Sequence, residues 1–154
     1  MKKYLVFVFV FLYSFFLSAQ TGKPIIIETK HTALVLTVGA NQRVIQSYLG
    51  KKLASADYEQ LKGGREAYLT AGMENQFEPS LRIIHSDGNP SLELRYVSHK
   101  TVNRENITTT DITLKDPEYP VEVLLHYSSY FNEDVVTAWT EIKHKEQGSV
   151  LLSH

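Results

Sequence analysis

The strongest constraint on the fold is an alternation of apolar and polar side chains with a period of two, which runs through most of the chain after residue 30. β-branched and aromatic residues dominate the apolar positions, as in strands whose successive side chains point to opposite faces. Turn-forming clusters such as Asp87-Gly88-Asn89-Pro90 separate the alternating runs. The sequence therefore predicts an all-β protein, an antiparallel β-sandwich rather than a small barrel.

The predicted strands follow these runs, with one interruption. They cover residues 31–38, 43–49, 81–85, 92–99, 107–115, 121–128, 135–144 and 149–152. Residues 54–72 break the alternation and predict a long loop with a short helix, for which Asp57 is the candidate N-cap and Gly63-Gly64 the predicted end. Loops of this length in compact β domains are often functional.

The first nineteen residues have the pattern of a secretory signal peptide. Lys2 and Lys3 precede an apolar segment over residues 4–16, and Leu17-Ser18-Ala19 resembles a cleavage site. The alternative is a membrane anchor, but residues 4–19 are shorter than the roughly 20 residues that span a bilayer. We therefore expect cleavage after Ala19, one domain over residues 20–154, no membrane association afterwards and a periplasmic or extracellular location.

Composition removes several classes of function. The formal net charge is −1, so no field recruits nucleic acid. There is no cysteine, which excludes disulfides, thiolate zinc sites and a cysteine nucleophile. The 6 histidines show no metal-ligand spacing, so we predict no metal and no cofactor. His85 and His99 are instead expected to face each other across a hairpin.

Carboxylates and aromatic residues give no catalytic assignment. Glu133 and Asp134 are adjacent, so on a strand they point to opposite faces, and a solvated turn is the favoured interpretation. Aromatic side chains could stack on sugar rings, but their positions in strands favour core packing. These residues are Tyr48, Tyr58, Tyr68, Tyr96, Tyr127, Tyr130 and Trp139.

A series of ordered blocks carries a resemblance to a known family. They are ETKHTAL at 28–34, YLGKKL at 48–53, HSDGN at 85–89 with residues 92–99 after it, YPVEV at 119–123, and EDVV at 133–136 continuing through Trp139 to His144. In this order, over residues 27–152, they resemble the N-terminal domain of glycoside hydrolase family 36 α-galactosidases.

The resemblance implies a β-supersandwich that precedes a (β/α)8 catalytic barrel. It implies a homo-oligomeric enzyme that releases terminal α-linked galactose from melibiose, raffinose-type oligosaccharides or galactomannan side chains, with retention, through two barrel aspartates. Because this chain is shorter than such a supersandwich, we expect it to be incomplete at its C-terminus and truncated before the barrel. The 154 residues alone are then predicted to be inactive.

The resemblance also assigns one substrate-binding candidate, Asp57. It matches an aspartate that reaches the galactose subsite in oligomeric members, in some assemblies from a neighbouring subunit. A carboxylate there would accept hydrogen bonds from sugar hydroxyls. Helix capping is the alternative role for Asp57.

Two functions from different classes remain. The first is a structural, oligomerisation and site-completing module of an exported α-galactosidase. The second is a stand-alone secreted carbohydrate-binding β-sandwich without catalysis.

Overall fold

The computed structural model describes residues 22–72 and 77–153, and within them the chain is all-β with one short helix. The elements are β1 Ile25–Glu28, β2 Thr32–Val38, β3 Val44–Lys51, α1 Ser55–Tyr58, β4 Arg65–Glu66, β5 Arg82–Ile84, β6 Arg95–Arg104, β7 Ile107–Lys115, β8 Val121–Tyr130, β9 Val135–His144 and β10 Leu151–Ser153. In the described part of the chain, no helix is long and apolar enough to cross a membrane. The predicted signal peptide, residues 1–19, lies outside the described residues.

The strands form two four-stranded sheets and one small sheet. The first sheet has the order β1-β2-β3-β4, and the second has the order β6-β7-β8-β9. Strand β5 pairs with β10, although about 67 residues separate them along the chain. All pairs between these strands are antiparallel, which confirms the predicted arrangement.

The two four-stranded sheets share one hydrophobic core. Ile27 and Leu36 of the first sheet join Ile112 and Val123 of the second in a single buried cluster, and all four are at most 1% exposed. Ile83 of β5 belongs to the same cluster. Since burying such a side chain stabilises a fold by about 1.5–3 kcal/mol, this layer is the main support of the sandwich.

Strand β2 is buried on both faces. Leu34 and Leu36 pack into the shared core, whereas Ala33 and Val35 point the other way and pack with Tyr58 of α1. The run of buried residues explains why alternation is weak in this part of the sequence. The outer face of β2 is therefore covered by the segment that carries α1.

Most predicted strands are confirmed, with boundaries shifted by a few residues. Strands β1 and β4 were not predicted. Residues 92–94 were predicted as strand, but β6 begins only at Arg95. Leu92 and Leu94 are buried, yet the Glu93 N–H donates to Asp116 Oδ2 at 2.7 Å rather than to a strand. At residues 92–94 the period of two therefore indicates which side chains are buried, but it does not indicate hydrogen-bonded pairing with a neighbouring strand.

The long loop with a short helix is confirmed, but its predicted caps are wrong. The N-cap position belongs to Ala54, which makes no side-chain capping bond, and the helix already ends at Tyr58. Gly64 has another role. Its φ is +125°, and a Cβ there would lie 2.1 Å from the Gln46 carbonyl oxygen. A glycine is needed because β4 approaches the β3 backbone closely.

Candidate functional site

The candidate site is the corner where α1 lies on the first sheet. Asp57 is the third residue of this single-turn helix. Its backbone N–H donates to the Ala54 carbonyl at 2.9 Å, and its carbonyl accepts from the Gln60 N–H at 3.2 Å. Its side chain is exposed and, within the described residues, its carboxylate has no hydrogen-bond partner. The carboxylate is thus presented to solvent by a fixed backbone.

Tyr58 fixes that backbone. Its side chain is 2% exposed and packs on Ala33 and Val35. The Tyr58 hydroxyl donates to Glu28 Oε1 at 2.7 Å and accepts from the Leu53 N–H at 3.0 Å. Burial, reinforced by the hydrogen bond to Glu28, raises the pKa of the Tyr58 phenol. The phenol therefore stays neutral and anchors the residue next to Asp57.

Glu28 and Lys52 extend this anchor. Lys52 Nζ lies 2.9 Å from Glu28 Oε2, and the Lys52 backbone N–H donates to the His31 carbonyl at 2.7 Å. The Lys52 ammonium also lies 5.9 Å from the centroid of the Phe131 ring. Together, Glu28, Lys52, Asp57 and Tyr58 are named the Asp57 corner.

A second carboxylate ties the neighbouring turns together. Asp134 Oδ1 accepts hydrogen bonds from the Thr29 hydroxyl and, at 3.1 Å, from the His31 N–H. His31 Nδ1 lies 3.3 Å from Asp134 Oδ2. The Thr29 hydroxyl and the His31 N–H lower the pKa of Asp134 to about 2. The interpretation of Glu133-Asp134 as a merely solvated turn is therefore wrong for Asp134, which is a structural acceptor.

Two open clefts flank α1. The smaller one has a volume of about 300 Å³ and the larger one of about 540 Å³. The smaller cleft is lined by Ile26, Glu28, Lys52, Ser55, Tyr58, Thr108 and Phe131. The charged Glu28–Lys52 pair and the Ser55 hydroxyl offer both donors and acceptors, which suits a ligand rich in hydroxyl groups.

The histidines have partners other than those predicted. His85 is buried, with its Nδ1 2.6 Å from Glu146 Oε1 and its Nε2 2.8 Å from the Ser91 carbonyl. Its ring stacks on Tyr119 at 3.5 Å. His99 contacts the Tyr96 hydroxyl instead, so the predicted facing of His85 and His99 is wrong. Across residues 22–72 and 77–153, no three His, Asp or Glu residues form a group suited to a metal ion.

The aromatic residues divide between the core and the surface. Tyr58 is buried, and Tyr68, Tyr96 and Tyr127 pack against the core, as predicted. Core packing is wrong for Trp139, which is 51% exposed on β9. A period of two shows which side chains share a face of a strand, but not which of the two faces points to solvent. On an edge strand, the outward residues are exposed.

Sequence reasoning assigned Asp57 but missed the residues that hold it. Glu28 and Lys52 stand within the blocks ETKHTAL and YLGKKL, so the resemblance already contained them. Their pairing depends on the β1-β2-β3 order of the sheet, which brings the end of β1 close to the residue after β3. Spacing along the chain carries no signal for that contact.

Comparison with known proteins places the chain in a family. The family described as the glycosyl hydrolase family 36 N-terminal domain matches residues 29–154. No curated protein matches the sequence significantly.

Solved structures share the fold. A variant of the family 36 α-galactosidase AgaA from Geobacillus stearothermophilus, in complex with 1-deoxygalactonojirimycin, matches 84% of this chain with a TM-score of 0.73 and 17% identity. The α-galactosidase from Lactobacillus brevis matches 84% with a TM-score of 0.71 and 14% identity. The galactosidase domain of AgaSK, an α-galactosidase-sucrose kinase, matches 83% with a TM-score of 0.73 and 20% identity. Other AgaA variants contain raffinose or stachyose.

The chain covers only part of these enzymes. The matched region corresponds to 23%, 22% and 23% of the three chains, respectively. At these identities the likeness shows a common fold, whereas the family match spans most of the sequence. The chain therefore belongs to the family of glycosyl hydrolase family 36 N-terminal domains.

Proposed function

We propose that the chain is the N-terminal β-sandwich module of an exported α-galactosidase-like hydrolase that removes terminal α-linked galactose. Family membership and the raffinose and stachyose complexes of AgaA variants support this substrate class. In this proposal the module supports the fold, takes part in a homo-oligomer and completes the galactoside site. Catalysis itself belongs to a barrel, and the isolated residues do not turn over substrate.

One observation carries the site-completing role. Asp57 is exposed and without a partner among the described residues, while Tyr58 beside it is buried and hydrogen-bonded to Glu28. A carboxylate held on a fixed backbone loses little conformational freedom when a ligand binds. We infer that Asp57 accepts hydrogen bonds from galactose hydroxyls, either in its own subunit or across an oligomer boundary.

The first test is genetic. Sequencing the gene beyond the codon for His154 is expected to show an open frame that encodes a barrel with a Lys-Trp-Asp motif. A stop codon at that point, confirmed in the transcript, would contradict the assignment to a larger hydrolase and favour the stand-alone module.

The second test addresses Asp57 in the full-length enzyme. We expect Asp57→Asn to raise the KM for raffinose by about tenfold to a hundredfold, since a hydrogen bond to a charged group contributes about 1.5–3 kcal/mol. Steady-state kinetics measure this change. Glu133→Gln is the matched control because Glu133 is another exposed carboxylate at the same end of the sandwich. Equal KM values for Asp57→Asn and the wild type would exclude the substrate contact.

A mixing experiment separates the two positions of Asp57. If Asp57 acts across a subunit boundary, mixed oligomers of Asp57→Asn subunits and subunits with a disabled barrel regain activity. If Asp57 serves its own subunit, each active barrel still lacks the carboxylate, and mixing restores nothing.

Export is tested at the N-terminus of the protein. We expect the protein purified from a bacterial periplasm or medium to begin at Gln20, because cleavage after Ala19 fits the signal pattern. Intact-mass measurement and N-terminal sequencing give the answer. A protein that keeps residues 1–19 and fractionates with membranes would show the anchor instead.

A further inference from the structure

The outward face of the second sheet carries an aligned row of polar and aromatic side chains. Lys100 of β6 lies opposite Asp111 of β7, Asp111 opposite His126 of β8, and His126 opposite Trp139 of β9. Residues directly opposite each other share a face of the sheet. The neighbouring position Ile112 points into the core, so this row points away from it.

Trp139 presents an open aromatic surface at one end of the row. Its indole stacks on the His126 ring, with centroids 4.9 Å apart and planes inclined by 12°. Strand β9 is the last strand of its sheet among the described residues, so the opposite face of the indole points past the sheet edge. The side chain is 51% exposed, as such an arrangement requires.

His126 holds this row together through one hydrogen bond and one longer contact to a carboxylate. His126 Nδ1 lies 2.7 Å from Asp111 Oδ1, and the His126 side chain is only 14% exposed. On its other side, His126 Nε2 lies 3.6 Å from Glu141 Oε2. An imidazole fixed between two carboxylates supports the indole at a constant angle. Trp139, His126, Asp111 and Glu141 are named the Trp139 platform.

Each carboxylate on the strands of this face has a basic group beside it. Glu141 is paired with Lys143 at 3.2 Å, and Glu122 with Lys115 at 3.1 Å. Asp111 has Lys100 opposite it on the same face. A surface whose carboxylates already have basic partners does not attract a cation strongly. It favours a neutral ligand that combines an apolar face for the indole with hydroxyls for the carboxylates and ammonium groups.

We propose that the Trp139 platform is a saccharide-binding surface, separate from the Asp57 corner, which stacks the C–H face of a neutral pyranose ring on the indole. Asp111 and Glu141 accept hydrogen bonds from its hydroxyls. The existence of the surface is independent of the proposed function. The choice of α-galactosides as its ligands rests on that function. The surface would hold oligosaccharide or galactomannan chains on the outside of the module.

Trp139 is the only tryptophan of the chain, so its fluorescence reports directly on this surface. We expect raffinose, stachyose and soluble galactomannan to change the emission of the 154-residue chain in a saturable way when tyrosines are not excited. Affinity electrophoresis in galactomannan gels then compares variants. Trp139→Ala is expected to weaken retardation at least tenfold, Trp139→Phe to retain most of it, and Glu141→Gln to weaken it severalfold.

The controls separate this surface from the corner and from general apolar contacts. Leu49→Ala removes an exposed apolar side chain, 62% exposed, from the first sheet and should bind like the wild type. Asp57→Asn should leave the tryptophan response unchanged, so a failure at one site is distinguishable from a failure at the other. The proposal is overturned if no saccharide alters the emission, or if Trp139→Ala is retarded like the wild type. It is also overturned if an arginine-rich peptide alters the emission and the saccharides do not, because the surface would then bind a cationic partner.

Discussion

At the residue scale, Asp134 adopts a left-handed backbone conformation, with a φ of 58°, in the turn between β8 and β9. Asp tolerates this region better than most residues because its short side chain can bond locally. Here its carboxylate instead accepts hydrogen bonds from Thr29 and His31, about a hundred residues earlier in the chain. The turn geometry is therefore coupled to the ionised state of one side chain.

This coupling predicts acid sensitivity. The pKa of Asp134 is about 2 in the folded chain, below its ordinary value of 3.8, so protonation is easier in the unfolded state. Its stabilising contribution is complete above pH 3.8 and is lost as the pH falls through about 2. We expect urea midpoints to fall over this range in the wild type, and to fall less in Asp134→Asn.

The urea midpoint of Asp134→Asn is still expected to fall somewhat with pH, and Glu146 is the source of this remaining dependence. Although burial works against it, hydrogen bonds from His85 and the Ser86 N–H lower the pKa of Glu146, so its contribution has the same sign. Identical pH profiles for the wild type and Asp134→Asn would show that the turn does not depend on the carboxylate.

Two adjacent glycines provide a matched pair for backbone strain. Both have positive φ, but a Cβ at Gly63 would meet nothing within 4 Å, whereas one at Gly64 would collide with the Gln46 carbonyl. Gly63→Ala is expected to lose about 1–2 kcal/mol of unfolding free energy from φ alone. Gly64→Ala should lose at least twice that, because β4 must also move from β3. Chemical denaturation measures both, and equal losses would refute the close-approach argument.

At the element scale, the strands that the sequence predicts best are those with turn residues at both ends. Strands β7 and β9 were predicted with their observed bounds because turns mark both of their ends. Strand β1 was missed because Ile25-Ile26-Ile27 shows no alternation, although Ile26 is 36% exposed and its neighbours are buried. Strand β4 has 2 residues and exists only through its pairing with β3.

The geometry around the candidate residue Asp57 was not predictable from the sequence. The resemblance singled out Asp57, and the break in periodicity placed it in a loop. The anchor through Tyr58 joins Glu28 to a residue 30 positions later. Such a contact arises from the strand order and the covered outer face of β2, which local patterns do not encode. The exposure of Trp139 also depends on which strand forms the sheet edge.

At the scale of the whole molecule, two clusters of polar side chains connect the turns through hydrogen bonds, one at each end of the apolar core. At one end, Thr29 and His31 bond to Asp134, and the Lys30 N–H donates to the Phe131 carbonyl at 3.1 Å. At the other end, Glu146 bonds to His85 and to the Ser86 N–H. The blocks that carry the family resemblance fall mainly on these two ends, where specific side chains define the turns.

The separation of the two ends makes a prediction about energetic additivity. Strand β8, with 10 residues, runs from one end to the other, and at roughly 3.3 Å per residue the clusters lie about 30 Å apart. Substitutions without shared partners at such distances add, whereas partners in one network do not. We therefore expect the changes in unfolding free energy for Asp134→Asn and Glu146→Gln to sum in the double variant. Thr29→Val with Asp134→Asn should fall short of the sum, since either change alone already breaks their shared hydrogen bond.

Urea denaturation of the two double variants and their parents measures both cycles. Strong coupling across the two ends would mean that the apolar core transmits changes in the turns, and the description of two independent clusters would then be wrong.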